Sequence, residues 1–500
     1  TSYADRSHPY RHQGSADINL YKMFLEVSYV LLRQQGRIGM ICPSGIYTDS
    51  GTGNLRDLFI EESKWEWLFG FENKKAIFDI HRSFKFCPII IQKGGQTEAI
   101  QTAFMRHDLR DWEEKAESLA TPYEKSRITV FSPKSKALLE LRSKRDIEIV
   151  EKIYANSVLL GDDSEDGWRV KYSTEFHMTN DSHLFKPRPW WEARGYKADQ
   201  YGRWTNIDGD IALPLYEGRM IGQFDFCEKG WVRGKGRSAV WRDIDWSEKS
   251  IEPQYLMSED TFEEVEGANK DFKLGFMAIG SATNKRSMIA STIPGWPCGN
   301  SIAVLSLPSF VRTIALDAVL NSFVFDFWMR SKLGGLNLNY FVIEEAPLPN
   351  PSVFESFGLL GPQLITLQLN NPSILFSQYW MTFANDSEWI RDQYWQSLWA
   401  LTKHERFRLW ASIDAIIASI YGLDIDDLKW ICRDEKTDPK GFWRIDDDDP
   451  IEIRRTSLVV EAFEQLQKVG LDTFAIDGME LTKDSAQKLG PRFLEWQKPD

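Results

Sequence analysis

The chain has 500 residues, of which 42% are hydrophobic, and this is enough apolar material for about two to four domains. Its formal net charge is −13, and its five cysteines are scattered and odd in number, which argues against a disulfide framework and favours reduced thiols in the cytoplasm. No run of about eighteen apolar residues is present, so we expect no membrane span. No C-x-x-C pair or His/Cys cluster points to a metal, so no metal site is expected either.

The first hundred residues alternate between helical and strand-like patterns. The patterns predict helices over 17–33 and 54–61, and strands over 38–42, 65–70 and 87–92. Helix, strand, helix, strand and a final strand pair is the way a doubly wound α/β sheet ends. The glycine-rich cofactor turn that opens such a sheet is not found in the sequence, and the chain begins at Thr1, so we expect a fragment.

The rest of the chain changes character twice. A charged region follows, with helices predicted over 111–119 and 134–144. Beyond Asp146, tryptophan, glycine and proline accompany short strand-like runs at 276–279, 301–305 and 336–343, and an apolar helix is predicted over 311–329. The remainder is mostly helical, with one apolar face over 405–421 and Gly422 as the C-terminal cap of that helix.

Several segments, in this order, carry a resemblance to a known family. They include Asp17–Phe24, Gly36–Ser44, Phe78–Phe86, Pro214–Ile221, Asn284–Ile289 and Gly334–Asn337. Together they resemble adenine-specific DNA methyltransferases of the Eco57I type, a group that includes the large methylases of DISARM and BREX phage-defence systems. The resemblance extends over most of the chain, and the order of the segments is more specific than any one of them.

The resemblance implies a multidomain protein that is partly α/β and partly α+β. Residues 1–106 would form the C-terminal half of a Rossmann-like methyltransferase sheet, and 107–146 a helical connector. Residues 147–350 would form a mixed α+β target-recognition domain, since the helix over 311–329 and the glycines after it are similar to type I specificity subunits. Residues 351–500 would form a mostly helical C-terminal domain.

The resemblance also implies a cofactor and partners. The methyl donor would be S-adenosylmethionine, bound mainly by a missing N-terminal methyltransferase half. That half, double-stranded DNA and other subunits of a defence system would be the partners. No catalytic residue is expected in this fragment, because the Asn-Pro-Pro-aromatic turn is absent; its nearest matches, at 350–352 and 371–373, are predicted to be turns. We therefore expect the fragment alone to be inactive.

Phe78 is the candidate for stacking against the target base. An enzyme that methylates an adenine amine must turn that base out of the duplex and hold it on an aromatic face. By order and spacing, Phe78 has the position of the hairpin aromatic in methyltransferases that resemble this chain. The alternative is a core side chain packed on Phe84 or Phe86. In the same turn, His81 is interpreted as a loop residue, and Arg82 reaches either phosphate or Asp79.

The candidate DNA-binding residues are basic. Between Arg219 and Arg242 there are six basic residues and two acidic ones, although the chain as a whole is acidic. Arginine and lysine alternate with glycine over 233–237, and glycine allows close backbone approach while the cations bind phosphate or guanine. The alternative is an ordinary solvated loop. The DNA-binding candidates are Arg219, Arg233, Lys235, Arg237, Arg242, Lys285 and Arg286.

These observations favour part of a DNA adenine-N6 methyltransferase of a restriction-modification or phage-defence system. In that role the chain supplies the wall of the base-flipping pocket and the recognition of the DNA target. The alternative is a non-catalytic binding protein, either a DNA-specificity module or, given 20 tryptophans, a carbohydrate-binding protein. The tryptophans are dispersed along the sequence, which favours packing roles over a carbohydrate site.

Overall fold

The computed structural model describes residues 10–14, 19–266 and 272–498. Its strands are β1 (Arg37–Pro43), β2 (Ser63–Glu72), β3 (Lys85–Lys93), β4 (Ala99–Arg106), β5 (Thr121–Glu124), β6 (Ser157–Leu159), β7 (Lys171–Ser173), β8 (Phe185–Pro187), β9 (Lys197–Ala198), β10 (Trp204–Thr205), β11 (Ile211–Pro214), β12 (Lys229–Arg233), β13 (Val240–Asp243), β14 (Tyr255–Ser258), β15 (Phe272–Met277), β16 (Ala290–Pro294), β17 (Ile302–Ser306) and β18 (Pro347–Pro349).

Helices account for most of the remaining regular structure. They are α1 (Leu20–Leu31), α2 (Gly45–Thr48), α3 (Gly53–Glu61), α4 (Arg110–Leu119), α5 (Lys125–Phe131), α6 (Lys144–Ala155), α7 (Arg188–Glu192), α8 (Glu259–Glu266), α9 (Phe310–Leu320), α10 (Phe323–Lys332), α11 (Tyr340–Ile343), α12 (Pro351–Ser356), α13 (Pro362–Asn370), α14 (Ser377–Asp386), α15 (Glu388–Arg391), α16 (Lys403–Ile420), α17 (Ile425–Ile431), α18 (Arg455–Val469), α19 (Leu471–Asp477) and α20 (Lys483–Leu489). Among the described residues, none of these helices is both long and apolar enough to cross a membrane.

The chain divides into two compact units. Unit 1 comprises residues 1–155 and 328–347, and unit 2 comprises residues 156–327 and 348–500. Together they make a mixed α+β protein of several small sheets and many helices, which is the coarse fold class predicted from the sequence. The four functional domains expected from the sequence, with boundaries at 106, 146 and 350, remain predictions.

Unit 1 is built on a five-stranded sheet in the order β1-β3-β2-β4-β5. Strand β3 is antiparallel to both β1 and β2, so β1 and β2 run parallel to each other, and β2 is parallel to β4. Side chains in β1 alternate between buried and exposed, as expected when one face of a strand is covered. Among the described residues β1 is an edge strand, so one side of it has no strand neighbour.

Unit 2 combines small antiparallel sheets with a helical core. One sheet has the order β8-β14-β11-β10-β9, a second has the order β16-β15-β17-β7, and β12 pairs with β13 as a separate hairpin. Helix α16 is buried along most of its length and packs on α18 and α13. Gly422, with φ +73°, follows the end of α16, as the cap pattern predicted.

The helix predicted over 134–144 is wrong. Residues 137–141 form neither a helix nor a strand, and their side chains are buried in succession. The backbone amides of Leu138 and Glu140 donate to the carbonyls of Tyr47 and Ser331, at 2.9 and 2.7 Å. These bonds to other parts of unit 1 replace the local bonds of a helix, and α6 begins only at Lys144.

Two further elements differ from the sequence prediction. The single helix predicted over 311–329 is interrupted between α9 and α10, where Asn321 donates to the carbonyl of Ala290 at 2.9 Å and the Ser322 hydroxyl accepts from the Phe325 amide at 3.2 Å. The Ser322 bond is local and competes with helical bonds, whereas the Asn321 bond ties the break between the helices to β16. The strand predicted over 336–343 is a loop followed by the single turn α11.

Candidate nucleic-acid interface

Between β2 and β3 of unit 1 lies the aromatic loop, residues 76–84. A buried asparagine, Asn73, fixes its backbone: its Nδ2 donates to the carbonyls of Phe78 and Ile80, both at 2.9 Å, and its Oδ1 accepts from the Phe78 amide at 3.0 Å. Buried backbone groups require such partners. The loop therefore has a defined conformation although it carries no helix or strand.

Phe78 lies at the surface of this loop. Its side chain is 41% exposed, and one edge packs against Phe86, with 4.9 Å between ring centroids and 75° between ring planes. Two neighbours, Ile80 and Phe84, are also exposed, at 48% and 59%. A fully buried core role for Phe78 is thus excluded, and the loop presents an aromatic and aliphatic surface to solvent.

The polar residues of the aromatic loop are held locally. The Nδ1 of His81 lies 2.7 Å from the Ser83 hydroxyl, which fits its interpretation as a loop residue. Arg82 donates to the carbonyl of Lys74 at 2.9 Å, and within the described residues it makes no ion pair with Asp79. At the start of β3, Lys85 pairs with the buried Glu140 at 2.8 Å and so anchors the loop's C-terminal end.

In unit 2 the predicted basic residues form the basic hairpin: strands β12 and β13 and the loop 234–239 between them. Gly234 has φ +82°, and a Cβ there would lie 2.6 Å from the carbonyl oxygen of Ser238. The Gly234 carbonyl accepts hydrogen bonds from Trp231 Nε1 at 3.0 Å and Gln254 Nε2 at 3.1 Å. The loop conformation is therefore fixed by glycine and by two side chains that hold its first carbonyl.

Three cations of the basic hairpin, Arg233, Lys235 and Arg237, are exposed. Within the described part of the chain, none of their side chains has a carboxylate or other hydrogen-bond partner. Arg219 lies on a short turn close to the hairpin loop. Its side chain is exposed, and it too has no partner within the described residues. Four neighbouring cations therefore form no ion pair within the described residues, although the chain as a whole is acidic.

The other three predicted DNA-binding residues have partners. Arg242, on β13, forms a two-bond ion pair with Glu252, which raises the pKa of the guanidinium. Lys285 is exposed and donates to the carbonyl of Ile445 at 3.2 Å. Arg286 is buried, 3.2 Å from the Asp326 carboxylate and 4.8 Å from the centroid of the Phe323 ring, so its guanidinium serves the packing of unit 2.

The basic and aromatic segment 186–191 packs beside the basic hairpin. The Arg188 guanidinium lies 4.6 Å from the centroid of the Trp231 ring and donates to the Trp231 carbonyl at 3.3 Å. In the same segment Trp191 is buried, and its Nε1 donates to the carbonyl of Leu256 at 3.2 Å. These contacts show that the segment packs within unit 2.

The turn after β1 is closely packed. A Cβ added to Gly45, at the start of the four-residue helix α2, would meet the Asp49 carboxylate and the Tyr21 hydroxyl. The space beside Gly45 is therefore filled by the chain itself. No group of three His, Cys, Asp or Glu side chains suited to a metal is found within the described ranges.

Residues 2–78 match the family model of the Eco57I restriction-modification methylase. The match confirms the resemblance to the Eco57I methylase over these residues, of which the structure describes 10–14 and 19–78. No curated protein sequence matches the chain.

Two solved structures are similar to the chain. One is the type IIG restriction endonuclease BpuSI, with 12% identity, a TM-score of 0.27, and coverage of 68% of this chain and 44% of that one. The other is the type IIL restriction-modification enzyme MmeI in complex with DNA, with 9% identity, a TM-score of 0.39, and coverage of 91% and 53%. The chain thus spans about half the length of the structures it matches.

Sequence reasoning missed two residues that shape these surfaces. Asn73 has no distinguishing neighbours in the sequence, and its role depends on a loop that folds back over it. Glu217 is part of a segment that carries the family resemblance, but its position in a cavity beside the basic hairpin requires the three-dimensional packing. Its burial raises the pKa of its carboxyl group to about 7.

Proposed function

We propose that this chain is part of an S-adenosylmethionine-dependent DNA adenine-N6 methyltransferase of a restriction-modification or phage-defence system. In this role it supplies an aromatic wall for the flipped base and a surface that recognises the DNA target. The observation that carries the proposal is the match of residues 2–78 to the Eco57I methylase. An exposed aromatic side chain, Phe78, lies at the end of the matched range, and the basic hairpin elsewhere in the chain has three cations that form no ion pair within the described residues.

The sheet of unit 1 supports a role as the second half of a methyltransferase sheet. Its helix α1 exposes an apolar stripe at helical spacing, formed by Leu20, Phe24, Val27 and Leu31. On the adjacent edge strand β1, Ile41 is 57% exposed. An open strand edge beside an apolar stripe is a surface that normally has a partner. We infer that a further half of the sheet, which would carry the cofactor turn, pairs there.

Phe78 is proposed to stack on the adenine after it leaves the duplex. An aromatic face adds about 1–3 kcal/mol of stacking per base, and the Phe78 side chain is 41% exposed while it packs against Phe86. The chemistry supplied by bound S-adenosylmethionine is methyl transfer to the adenine amine. The part played by this chain is to hold the base: Asn73 fixes the backbone of the aromatic loop, and Phe78 provides the contact surface.

The basic hairpin is proposed to bind DNA through Arg233, Lys235 and Arg237, with Arg219 beside them. Their charges are unpaired in the described chain, so contact with phosphate does not require an existing ion pair to break. Lys285 stays in the proposed surface as a peripheral contact, because its ammonium group is exposed. Arg242 has Glu252 as its counter-charge, and Arg286 is buried, so neither is needed for the proposal.

Salt titration of duplex binding tests the proposal. We expect the combined R233A, K235A and R237A variant to bind all duplexes more weakly. The log–log salt dependence should flatten by about one unit for each phosphate that the variant no longer neutralises. The matched control removes a charge outside the hairpin: Lys197→Ala, on the exposed strand β9, should leave affinity and slope unchanged. Unchanged affinity and slope in the triple variant would contradict the DNA surface proposed here.

The non-catalytic alternative is a DNA-specificity module, and the same three unpaired cations of the basic hairpin favour it. The two functions predict different effects of replacing Phe78. In an assembled methyltransferase, Phe78→Ala should slow methylation more than it weakens duplex binding, because stacking begins only after the base is flipped. A specificity module that never contacts the flipped base would show no such difference. Kinetics on duplexes with and without a mismatch at the target adenine separate the two.

A further inference from the structure

The tip of the basic hairpin, residues 232–240, carries two aliphatic side chains among its cations. Val232 and Val240 are 42% and 43% exposed, although valine is among the residues most often buried. No residue of the tip is acidic, and all its residues other than the two valines are basic or small. The tip therefore combines positive charge with exposed aliphatic surface, and contact with DNA phosphates accounts only for the charge.

The two faces of the hairpin have different surroundings. Trp231 on β12 is directly opposite Trp241 on β13, and Trp231 is buried, so this face packs within unit 2. Successive side chains of a strand point to opposite faces, so Val240 points away from the packed face. Arg233 is directly opposite Val240, and directly opposite residues present their side chains to the same face. An aliphatic side chain and a cation thus lie side by side on the outer face.

Val232 joins this surface through a β-bulge. The strand register pairs Trp231 with Trp241 and Arg233 with Val240, so Val232 is an extra residue on β12. Bulges of this kind change the direction of a side chain and are common next to functional sites. Both Val232 and Arg233 are exposed, so the bulge adds a second aliphatic side chain to the tip.

The neighbours of the tip limit the surface on one side and extend it on another. At the base of the hairpin Asp243 is exposed, 3.6 Å from Lys229, so the uncompensated positive charge is confined to the tip. Beyond the loop, Ile279 is 62% exposed and lines a cavity together with Gly236 and Ala239. The aliphatic surface therefore continues from the hairpin onto the segment that follows β15.

A two-stranded ribbon with this surface fits the major groove of duplex DNA. That groove is about 12 Å wide and admits such a ribbon, whereas the minor groove is about 6 Å wide. Within the described chain β12 and β13 form a sheet of their own, so the ribbon is not embedded in a larger sheet. In the major groove thymine presents a methyl group at C5, which is the base feature that aliphatic side chains contact.

We propose that the tip of the basic hairpin enters the major groove and that Val232 and Val240 recognise the C5 methyl group of thymine there, while the hairpin cations bind phosphates. The inference rests on the proposed DNA-binding function and adds base recognition to it. Phosphate contacts carry no sequence information, so they give no preference for a base. Cytosine has hydrogen at C5 where thymine has a methyl group, so contact with the valines favours thymine.

Replacing thymine by deoxyuridine tests this inference, because only the C5 methyl group is lost. The whole 500-residue chain first selects from duplexes with a random window, and we expect at least one position to be enriched in thymine. Deoxyuridine there should weaken binding by roughly fourfold, which corresponds to about 0.8 kcal/mol for one buried methyl group at 1.4 kcal/mol per tenfold. If the chain binds duplexes without enriching thymine, or binds both duplexes equally, the inference is wrong and the DNA surface stands.

Alanine variants assign the effect to the two valines. The combined V232A and V240A variant should bind the thymine duplex as weakly as the wild type binds the deoxyuridine duplex, and it should not distinguish the two. Val469→Ala, at an exposed valine of α18, is the matched control and should keep the difference. Thermal melting checks that both variants are folded. A difference that persists in the double variant would place the methyl contact elsewhere and overturn the inference.

A duplex with 5-methylcytosine isolates the methyl group without any variant. At the position enriched in thymine, the wild-type chain should bind 5-methylcytosine more tightly than cytosine, by a similar factor of roughly four. Equal binding of these two duplexes would contradict recognition of the methyl group. If the chain binds no duplex at low salt, the proposed function itself fails and this inference fails with it; binding of poly-glutamate instead would assign the surface to an acidic protein.

Discussion

At the scale of single residues, unit 2 contains several buried carboxyl groups that resist ionisation. Burial raises the pKa of Asp317 to about 7, although hydrogen bonds from Thr292 and Asn321 oppose the shift. Burial likewise raises the pKa of Asp414 to about 6, against the charges of Arg286 and Arg455. These two have hydrogen-bond partners in the core, whereas one oxygen of Glu217 has none among the described residues, so replacing Glu217 removes a titrating group without removing a bond from that oxygen.

The stability of the protein should depend on pH through Glu217. With a folded-state pKa of about 7 against an ordinary value of 4.5, the folded protein holds the Glu217 proton over a pH range in which the unfolded chain has released it. Stability therefore falls as pH rises from about 4.5 through 7. Glu217→Gln cannot ionise, so its free energy of unfolding should decrease less between pH 5 and pH 8 than that of the wild type.

Urea unfolding at several pH values measures this difference. The contributions of Asp317 and Asp414 are the same in both proteins, so they cancel when the two curves are subtracted. Glu248→Gln, in which an exposed carboxylate is removed, should follow the wild type. Parallel curves for Glu217→Gln and wild type would contradict the raised pKa of Glu217.

At the scale of an element, the basic hairpin offers two glycines that separate backbone shape from charge. Gly234 has φ +82°, and a Cβ there would lie 2.6 Å from the Ser238 carbonyl, so Gly234→Ala must distort the loop. Gly236 has φ +56° with no atom within 4 Å, so Gly236→Ala meets only the left-handed backbone cost of about 1–2 kcal/mol. Both variants retain every charge of the hairpin.

We expect Gly234→Ala to weaken duplex binding even though its cations are intact, because the loop no longer holds them in position. Gly236→Ala should keep most of the binding. Fluorescence anisotropy with a labelled duplex measures both affinities, and thermal melting checks that each variant is folded. Equal binding by the two variants would mean that charge alone, without a fixed loop, accounts for the affinity.

The same hairpin shows what sequence reasoning can reach. Alternating glycine and positive charge predicted an exposed basic loop over 233–237, because glycine and charge act locally. The cavity beside that loop could not be predicted, since Glu217, Trp241 and Met277 come from separate segments that only the folded chain brings together. Arg286 was predicted from charge alone, and its burial depends on Asp326, a partner distant in the sequence.

In unit 1, too, the sequence predicted some elements correctly and one wrongly. Strands β1, β2 and β3 were predicted within a few residues, because continuous apolar runs and turn residues mark them. The helix expected over 134–144 failed because its charged ends resemble a helical surface, while the backbone of 137–141 bonds to distant carbonyls. Local patterns predict an element well where its hydrogen bonds are also local.

At the scale of the whole molecule, α1 exposes an apolar stripe, and β1 has one edge without a strand neighbour among the described residues. In the proposed function these surfaces pair with a further segment that carries the cofactor turn. The 500 residues contain neither a glycine-rich cofactor turn nor an Asn-Pro-Pro-aromatic turn, so this chain alone should transfer no methyl group from labelled S-adenosylmethionine to DNA. Co-expression with a methyltransferase segment that carries both turns should restore transfer. Phe24→Asp combined with Leu31→Asp, both on the exposed stripe, should block that restoration while duplex binding by the chain persists. Ile207→Asp, at a fully exposed apolar residue of unit 2, should have no effect. Transfer by the pure chain, or full complementation by the doubly substituted variant, would contradict the proposed second half of the sheet.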